Sequence, residues 1–269
     1  MPPADRPPHR PARAAPGRSA QGRPIALTAL VVAGAIALAS FVKGSIAFGF
    51  PVVATPLLAL VLDVKTAVAI SLVPNIVMDG VQVCRRGGVL ASVRRLLALL
   101  VFGLLGMVLG TRLLVVLPPH VALAVLGVFL LAFVGLSAAG LAPRVPPRWE
   151  RWLSAPVGFL AGILGGVTNV PGTPLVLYFH ALGMDKHEFV RAVSLSFLVY
   201  KLVQLGATAW YGLLTGPLLL GGVALTVIGL GAFALGLKVQ DYLAERTFNR
   251  LVLAFLAVLG LWLLARALQ

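Results

Sequence analysis

Apolar stretches of about 18 to 25 residues follow one another along most of this chain, each long enough to cross a hydrocarbon layer as a helix. Charged residues gather at the ends of these stretches, where membrane helices carry them. A backbone in lipid has to satisfy its own hydrogen bonds, which leaves few folds open. Of the 269 residues 59% are hydrophobic and only 11% charged, too little charge for the surface of a soluble domain of that length. The expected fold is all-α and polytopic, with the lipid bilayer as its solvent.

The net charge of +14 is distributed as in a membrane protein. Five arginines lie in the first 24 residues, and Arg85, Arg86, Arg94 and Arg95 crowd one short loop. That is a positive-inside pattern, without the aromatic-interleaved basic face that would read nucleic acid. The lone Cys84 excludes an internal disulfide and argues against a cysteine metal site. Residues 1–24, rich in Pro and Arg, read as a disordered basic tail. A cleaved signal peptide fits poorly, because the run from Leu30 to Val42 has a counterpart at Ala155 to Leu164. The acid-poor composition also leaves an organelle transit peptide open.

That counterpart belongs to a duplication. Phe50-Pro51-Val-Val-Ala-Thr55-Pro56-Leu57 is echoed by Val170-Pro171-Gly-Thr173-Pro174-Leu175. Ala69-Ile-Ser71-Leu72 is echoed by Ala192-Val-Ser194-Leu195, and Gly103…Gly106…Gly110-x-Arg112 by Gly229…Gly231…Gly236-x-Lys238. The echoes keep their order roughly 120 residues apart, as in a tandem repeat. The first repeat, 25–141, is expected to hold Ile25–Val42, a broken segment Gly44–Leu62, Thr66–Val83, Leu96–Leu117 and His120–Leu141. A Pro-rich link, 142–151, leads to the second, 152–269. It is expected to hold Trp152–Gly165, a broken segment Gly166–Leu182, Phe189–Trp210, Gly216–Leu237 and Phe248–Leu268. If both broken segments stay on the far side, the tail, the Arg85–Arg95 loop, the link and Arg266 share one face. On that argument the chain has about eight spans, cytoplasmic termini and two repeats of parallel topology in a cell inner membrane. If the segments cross instead, the tail and the Arg85–Arg95 loop fall on opposite faces.

Paired broken helices at matching positions of two halves point to a substrate site. In the second, Gly165, Gly166, Thr168, Asn169, Pro171, Gly172, Thr173 and Pro174 interrupt an apolar run. Proline removes an N–H and glycine admits close approach. A half-helix starting near Pro174 would aim free N–H groups and its positive dipole end at the break, a ready anion site. The first copy offers Lys43, Gly44, Gly49, Pro51 and Thr55. The competing reading of either break is a kink with glycine-mediated packing. Lys43 either holds an anion or snorkels to the interface. Lys201 lies deep in its span, where a charge costs roughly 2.5–3.5 kcal/mol and needs a cavity or a partner. Asp79, the one acidic residue within a span, is either its ion-pair partner or a proton carrier. His180 is either a proton relay or a packed histidine.

The four histidines form no H-E-x-x-H pattern and the buried serines sit in no catalytic motif, so an enzyme reading lacks its parts. No cofactor is implied, and no nucleotide-binding motif is present. At the Gly/Pro breaks and the Ala-x-Ser-Leu helices after them, the chain resembles the TauE/SafE family of sulfite exporters and related permeases, over Ile25 to Leu268. The first copy departs from the usual pattern, with Lys43, Phe48 and Phe50 where a richer glycine cluster is usual. The resemblance implies a secondary carrier of sulfite, sulfonates or other small anions. A homo-oligomer, a scaffold without flux and an anion channel stay open.

Overall fold

The computed structural model describes residues 25–46, 48–86, 89–139, 145–239 and 245–268; the basic tail lies outside them. Ten helices make up the described chain: α1 (Ile25–Ile46), α2 (Phe50–Leu58), α3 (Val64–Arg86), α4 (Val89–Val116), α5 (Pro119–Ala138), α6 (Pro147–Thr168), α7 (Gly172–Ala181), α8 (Lys186–Trp210), α9 (Gly216–Val239) and α10 (Glu245–Ala267). Six of them, α1, α3, α4, α5, α8 and α9, are long and apolar enough to cross a bilayer. Each expected broken segment is a short helix, α2 or α7, behind a loop. These two are buried on most sides: Phe50, Val52, Val53, Ala54 and Leu58 in one, Leu175, Tyr178, Phe179 and Ala181 in the other. Protein surrounds the interrupted backbone, which makes the break tolerable at membrane depth.

Lipid offers no hydrophobic force between helices, so close packing through small residues holds them together. Along α4 and α6, Leu99 meets Gly158, Gly103 meets Gly162, and Gly110 meets Gly166. A Cβ on Gly162 would stand 2.1 Å from the Gly103 carbonyl oxygen. The same device joins α1 to α9, where Gly44 and Gly236 face each other and Ser40 fills the space at Gly229. In both pairs the registers rise together, so the paired helices are parallel. Gly44 and Gly166, read from sequence as site residues, are therefore packing contacts.

The packing partners fix direction. Arg191 on α8 donates to Ser92 on α4 at 2.7 Å, and Tyr200 donates to the Leu99 carbonyl at 2.9 Å, so α4 and α8 run parallel. Arg95 bridges to Glu150 at the start of α6 and to Glu188 at the start of α8. One face of the molecule thus gathers the starts of α4, α6 and α8 with Arg85, Arg94, Arg95, Arg148 and Arg151; it is called here the arginine face. At the opposite face, Lys65 near the start of α3 donates to the Val115 carbonyl at the end of α4, 2.6 Å away. Arg266 at the end of α10 donates to the Ala59 carbonyl, just past α2, at 2.8 Å. Helix α1, parallel to α9, begins on this second face.

Each short helix carries the chain back to the face its preceding long helix left. Tyr178 on α7 donates to the Glu150 carbonyl at 2.8 Å, and the Ala181 carbonyl accepts from Val145 N–H at 2.8 Å. Arg266 therefore lies on the face opposite the Arg85–Arg95 loop, against the expected grouping; the tail expected beside them lies outside the described residues. The start of α8, Asp185 to Arg191, lies on the arginine face, bridged to Arg95 through Glu188. The starts of α1 and α6 lie on opposite faces, against the expected parallel orientation. The physical reason is reach: α2 with its flanking loops is long enough to recross, though too short to register as a span.

Candidate functional site

Local chemistry ends α6 where the second break was expected. Asn169 takes the left-handed conformation (φ 68°) and its N–H closes on the Gly165 carbonyl at 2.8 Å, a C-cap that asparagine tolerates well. Pro171 then forbids continuation and α7 starts at Gly172. At the first break Gly49 (φ 114°) turns the chain into α2. Neither short helix has a side-chain cap at its N-terminus among the described residues. Their first-turn N–H groups lack intrahelical partners by construction.

Between the two breaks lies a polar cluster in which Lys43, Thr55, Ser71, Asn75, Asp79, Asn169, Lys201 and Gln204 are all 0% exposed. The ammonium of Lys201 donates to the Asn169 carbonyl at 2.8 Å, to the Asn169 side-chain oxygen, and to Gln204 Oε1 at 2.8 Å. Asn169 Nδ2 donates in turn to Thr55 Oγ1 and Ser71 Oγ, each at 2.9 Å. Gln204 Nε2 reaches the Gly165 and Gly166 carbonyls at 3.2 and 3.3 Å, which satisfies the end of α6. Asn169 thereby ties α2, α3, α6 and α8 together at one point.

Lys43 donates to Asp79 Oδ1 at 2.6 Å, and its ammonium stands 5.5 Å from the centroid of the Phe197 ring. Lys43 therefore points inward and does not snorkel. Asp79 pairs with Lys43, with Lys201 within electrostatic range of both. Gly172 lies against the Phe197 ring, and Thr173 follows it with a buried hydroxyl. Of the polar atoms here, Asp79 Oδ2, both amide atoms of Asn75 and Thr173 Oγ1 have no hydrogen-bond partner among the described residues.

Other expected residues serve the frame. Thr168 donates to the Leu164 carbonyl at 2.6 Å and accepts from Val170 N–H at 3.2 Å. Gly49 packs on Val42 and Ile46, and Gly165 approaches Met107 and Pro171. Pro51 lies in the first turn of α2, and Pro174 in the first turn of α7. His180 is exposed at the arginine face, its ring 4.6 Å from that of Phe189, and is not adjacent to the cluster. Sequence reading missed Asn75 and Gln204 as site residues. Their signal was polar residues at helical spacing within apolar spans: Ser71, Asn75 and Asp79 on α3, Lys201, Gln204 and Thr208 on α8.

Long apolar helices around a buried polar centre define a multi-pass membrane protein. The chain belongs to the sulfite exporter TauE/SafE family, whose model matches residues 32–263. It is thus a member of a family of membrane transporters rather than enzymes. No curated protein and no solved structure matches it.

Proposed function

We propose that the chain is a secondary carrier, a permease for a small anion such as sulfite, a sulfonate or a related organic anion, and that it binds the anion at the buried cluster between the two breaks. One observation carries this reading: among the described residues, two buried lysines accompany a single buried carboxylate. Lys43 is balanced by Asp79, whereas Lys201 meets only neutral oxygens. A buried charge needs a counter-charge, and a guest anion supplies it. Thr173 at α7 and the free N–H groups of its first turn add donors on the same side.

The architecture of the reading is two repeats, α1–α5 and α6–α10, in inverted orientation. The exchange of partners supports it: α1 packs on α9 as α6 packs on α4, α3 on α9 as α8 on α4, and α5 pairs with α10. Helices α6 and α10 then complete eight long helices. Charge in the first turns of α6, at Arg148, Glu150 and Arg151, shortens its apolar length. The positive-inside rule favours the arginine face in the cytoplasm of an inner-membrane protein, with α1 beginning and α10 ending outside. The tail's arginines weigh the other way. Complete burial of the cluster favours an occluded carrier over an open pore.

Full-length protein in liposomes, tested with sulfite, sulfonates, carboxylates and chloride, is the direct test, with saturable flux expected for one class. Lys201→Met should weaken apparent affinity about tenfold to a hundredfold, the worth of a charged hydrogen bond. Normal affinity in a folded Lys201→Met protein would remove the anion site from this cluster. Proton coupling through Asp79 predicts a pH-dependent flux that Asp79→Asn flattens.

A further inference from the structure

Helix α3 presents Ser71, Asn75 and Asp79 one turn apart, so the three share a face. At one end of this row Ser71 accepts from Asn169, the partner of Lys201. At the other end Asp79 holds Lys43. Asn75 therefore stands midway between the two lysine stations. It is 0% exposed, yet neither its Nδ2 nor its Oδ1 has a partner among the described residues. A buried amide left empty on both sides is costly, and native interiors rarely tolerate it. Its neighbour Asp79 Oδ2 is also unpartnered.

The unfilled positions are of two kinds. Asn75 Nδ2 wants an acceptor. Asn75 Oδ1 and Asp79 Oδ2 want donors, and Thr173 Oγ1 can serve either way. A halide, or an oxyanion with no proton left, supplies acceptors alone. It would leave Asn75 Oδ1 empty and set its own charge against Asp79 Oδ2. A ligand with a negative end and an O–H or N–H of its own fills both kinds. The charge balance of the cluster, two lysines against one carboxylate, calls for a single negative charge.

We propose that the guest of this cluster is a monoanion that carries its own hydrogen-bond donor, and that Asn75 recognises it by accepting from that donor while giving its N–H to an anionic oxygen. The proposal rests on the anion-carrier reading and narrows its substrate class. Two chemistries fit: an acid anion that retains a proton, and a sulfonate or carboxylate bearing a hydroxyl group. Chloride, nitrate and simple alkyl sulfonates do not.

The test uses purified full-length protein and two pairs of probes matched in shape and charge. Bicarbonate is compared with acetate, and hydroxymethanesulfonate with ethanesulfonate. Dissociation constants come from ligand-dependent thermal stabilisation. The donor-bearing member of a binding pair should bind about tenfold tighter, equivalent to about 1.4 kcal/mol. Which pair binds separates the two chemistries. Asn75→Leu should bring the ratio near one, weakening the donor-bearing member more than the donor-free one, because the first loses both contacts with Asn75 and the second only the N–H. Equal affinities within the binding pair in wild type, or a parallel loss of both members in Asn75→Leu, would overturn the role of Asn75. If Asn75→Leu does not fold, the wild-type ratio decides alone. If none of the four probes stabilises wild type while chloride or nitrate does, the carrier reading stands and this proposal falls. If no anion does, both fall.

Discussion

Asp79→Asn is the most informative single change in this molecule. Asp79 is 0% exposed and gives one oxygen to Lys43 at 2.6 Å. Breaking a buried ion pair from one side costs about 3–5 kcal/mol, because the surviving charge stays buried without compensation. The loss should not be symmetric between the partners. Lys43→Met leaves Asp79 with Lys201 still in electrostatic range, so it belongs at the low end of that range. Asp79→Asn leaves two ammonium groups facing each other, and belongs at the high end. Removing both charges in Lys43→Met/Asp79→Asn should cost less than Asp79→Asn alone, since neither charge of the pair is then left buried without the other. The assay is unfolding free energy in bicelles by steric trapping, run as a double-mutant cycle with an expected coupling of about 2 kcal/mol or more. A bound anion should restore part of what Asp79→Asn loses, about 2.7 kcal/mol at a concentration of 100 times its dissociation constant. Additive single mutants, or Lys43→Met more damaging than Asp79→Asn, would refute the view that Asp79 is the shared counter-charge of two buried lysines.

Three further outcomes follow from the packing and the termini. Gly162→Val should abolish assembly, since its Cβ would sit 2.1 Å from a backbone oxygen of α4; Gly206→Ala, with nothing within 4 Å, should be neutral or slightly stabilising in the same expression and thermal-melt assay. Cys84, exposed beside Arg85 on the arginine face, should react with a membrane-impermeant maleimide only in inside-out vesicles; labelling of intact spheroplasts would reverse the proposed orientation. Asp185 caps α8 by accepting from His187 and Glu188 N–H at 2.8 and 2.9 Å, and those backbone N–H groups, Glu188's first, hold its carboxyl below the usual carboxylate range. A lowered folded pKa gives stability that is present above the unfolded value and lost as pH falls through the folded one, so amide exchange at the start of α8 should accelerate on acidification below about 4, and Asp185→Ala should erase that dependence.

The chain announced its breaks, its lysines and its one buried acid. Proline and glycine inside apolar runs are local signals, and a charge inside a span is rare enough to stand out. What stayed hidden was direction. Loop charge was the only sequence handle on topology, and a tail with five arginines dominated it. The structure resolves direction through contacts across long sequence distance, Arg266 to Ala59 and Val145 to Ala181, which no local pattern encodes. The roles of Gly44 and Gly166 were inverted for a related reason. A glycine beside a break looks alike in sequence whether a ligand or another helix approaches it. Asn75 was passed over because a single amide in a span carries no charge to flag it. Only its position one turn from both Ser71 and Asp79 gives it meaning.

The exchange of partners between the halves also decides what can move. Rocking of one sequence half against the other, as the duplication invites, would tear α1 from α9 and α6 from α4, the tightest backbone contacts present. The apolar side chains instead form two cores. One joins α1, α2, α3, α5 and α10 with Phe233 of α9 and Leu114 of α4, and the other joins α4, α6, α7 and α8. The polar cluster lies between them, with Asp79 and Lys201 on facing helices α3 and α8. Closely packed units move as bodies because packed contacts are not continuously deformable, so alternating access should separate these two cores. Phe48 packs on both, its ring 6.0 Å from that of Phe189. A short bis-methanethiosulfonate cross-link between Phe48→Cys and Phe189→Cys, in a Cys84→Ser background, should arrest anion exchange. Cross-linking Leu131→Cys to Gly260→Cys, within the first core, should leave exchange intact. Exchange that survives the first link and stops with the second would require a different division of the molecule.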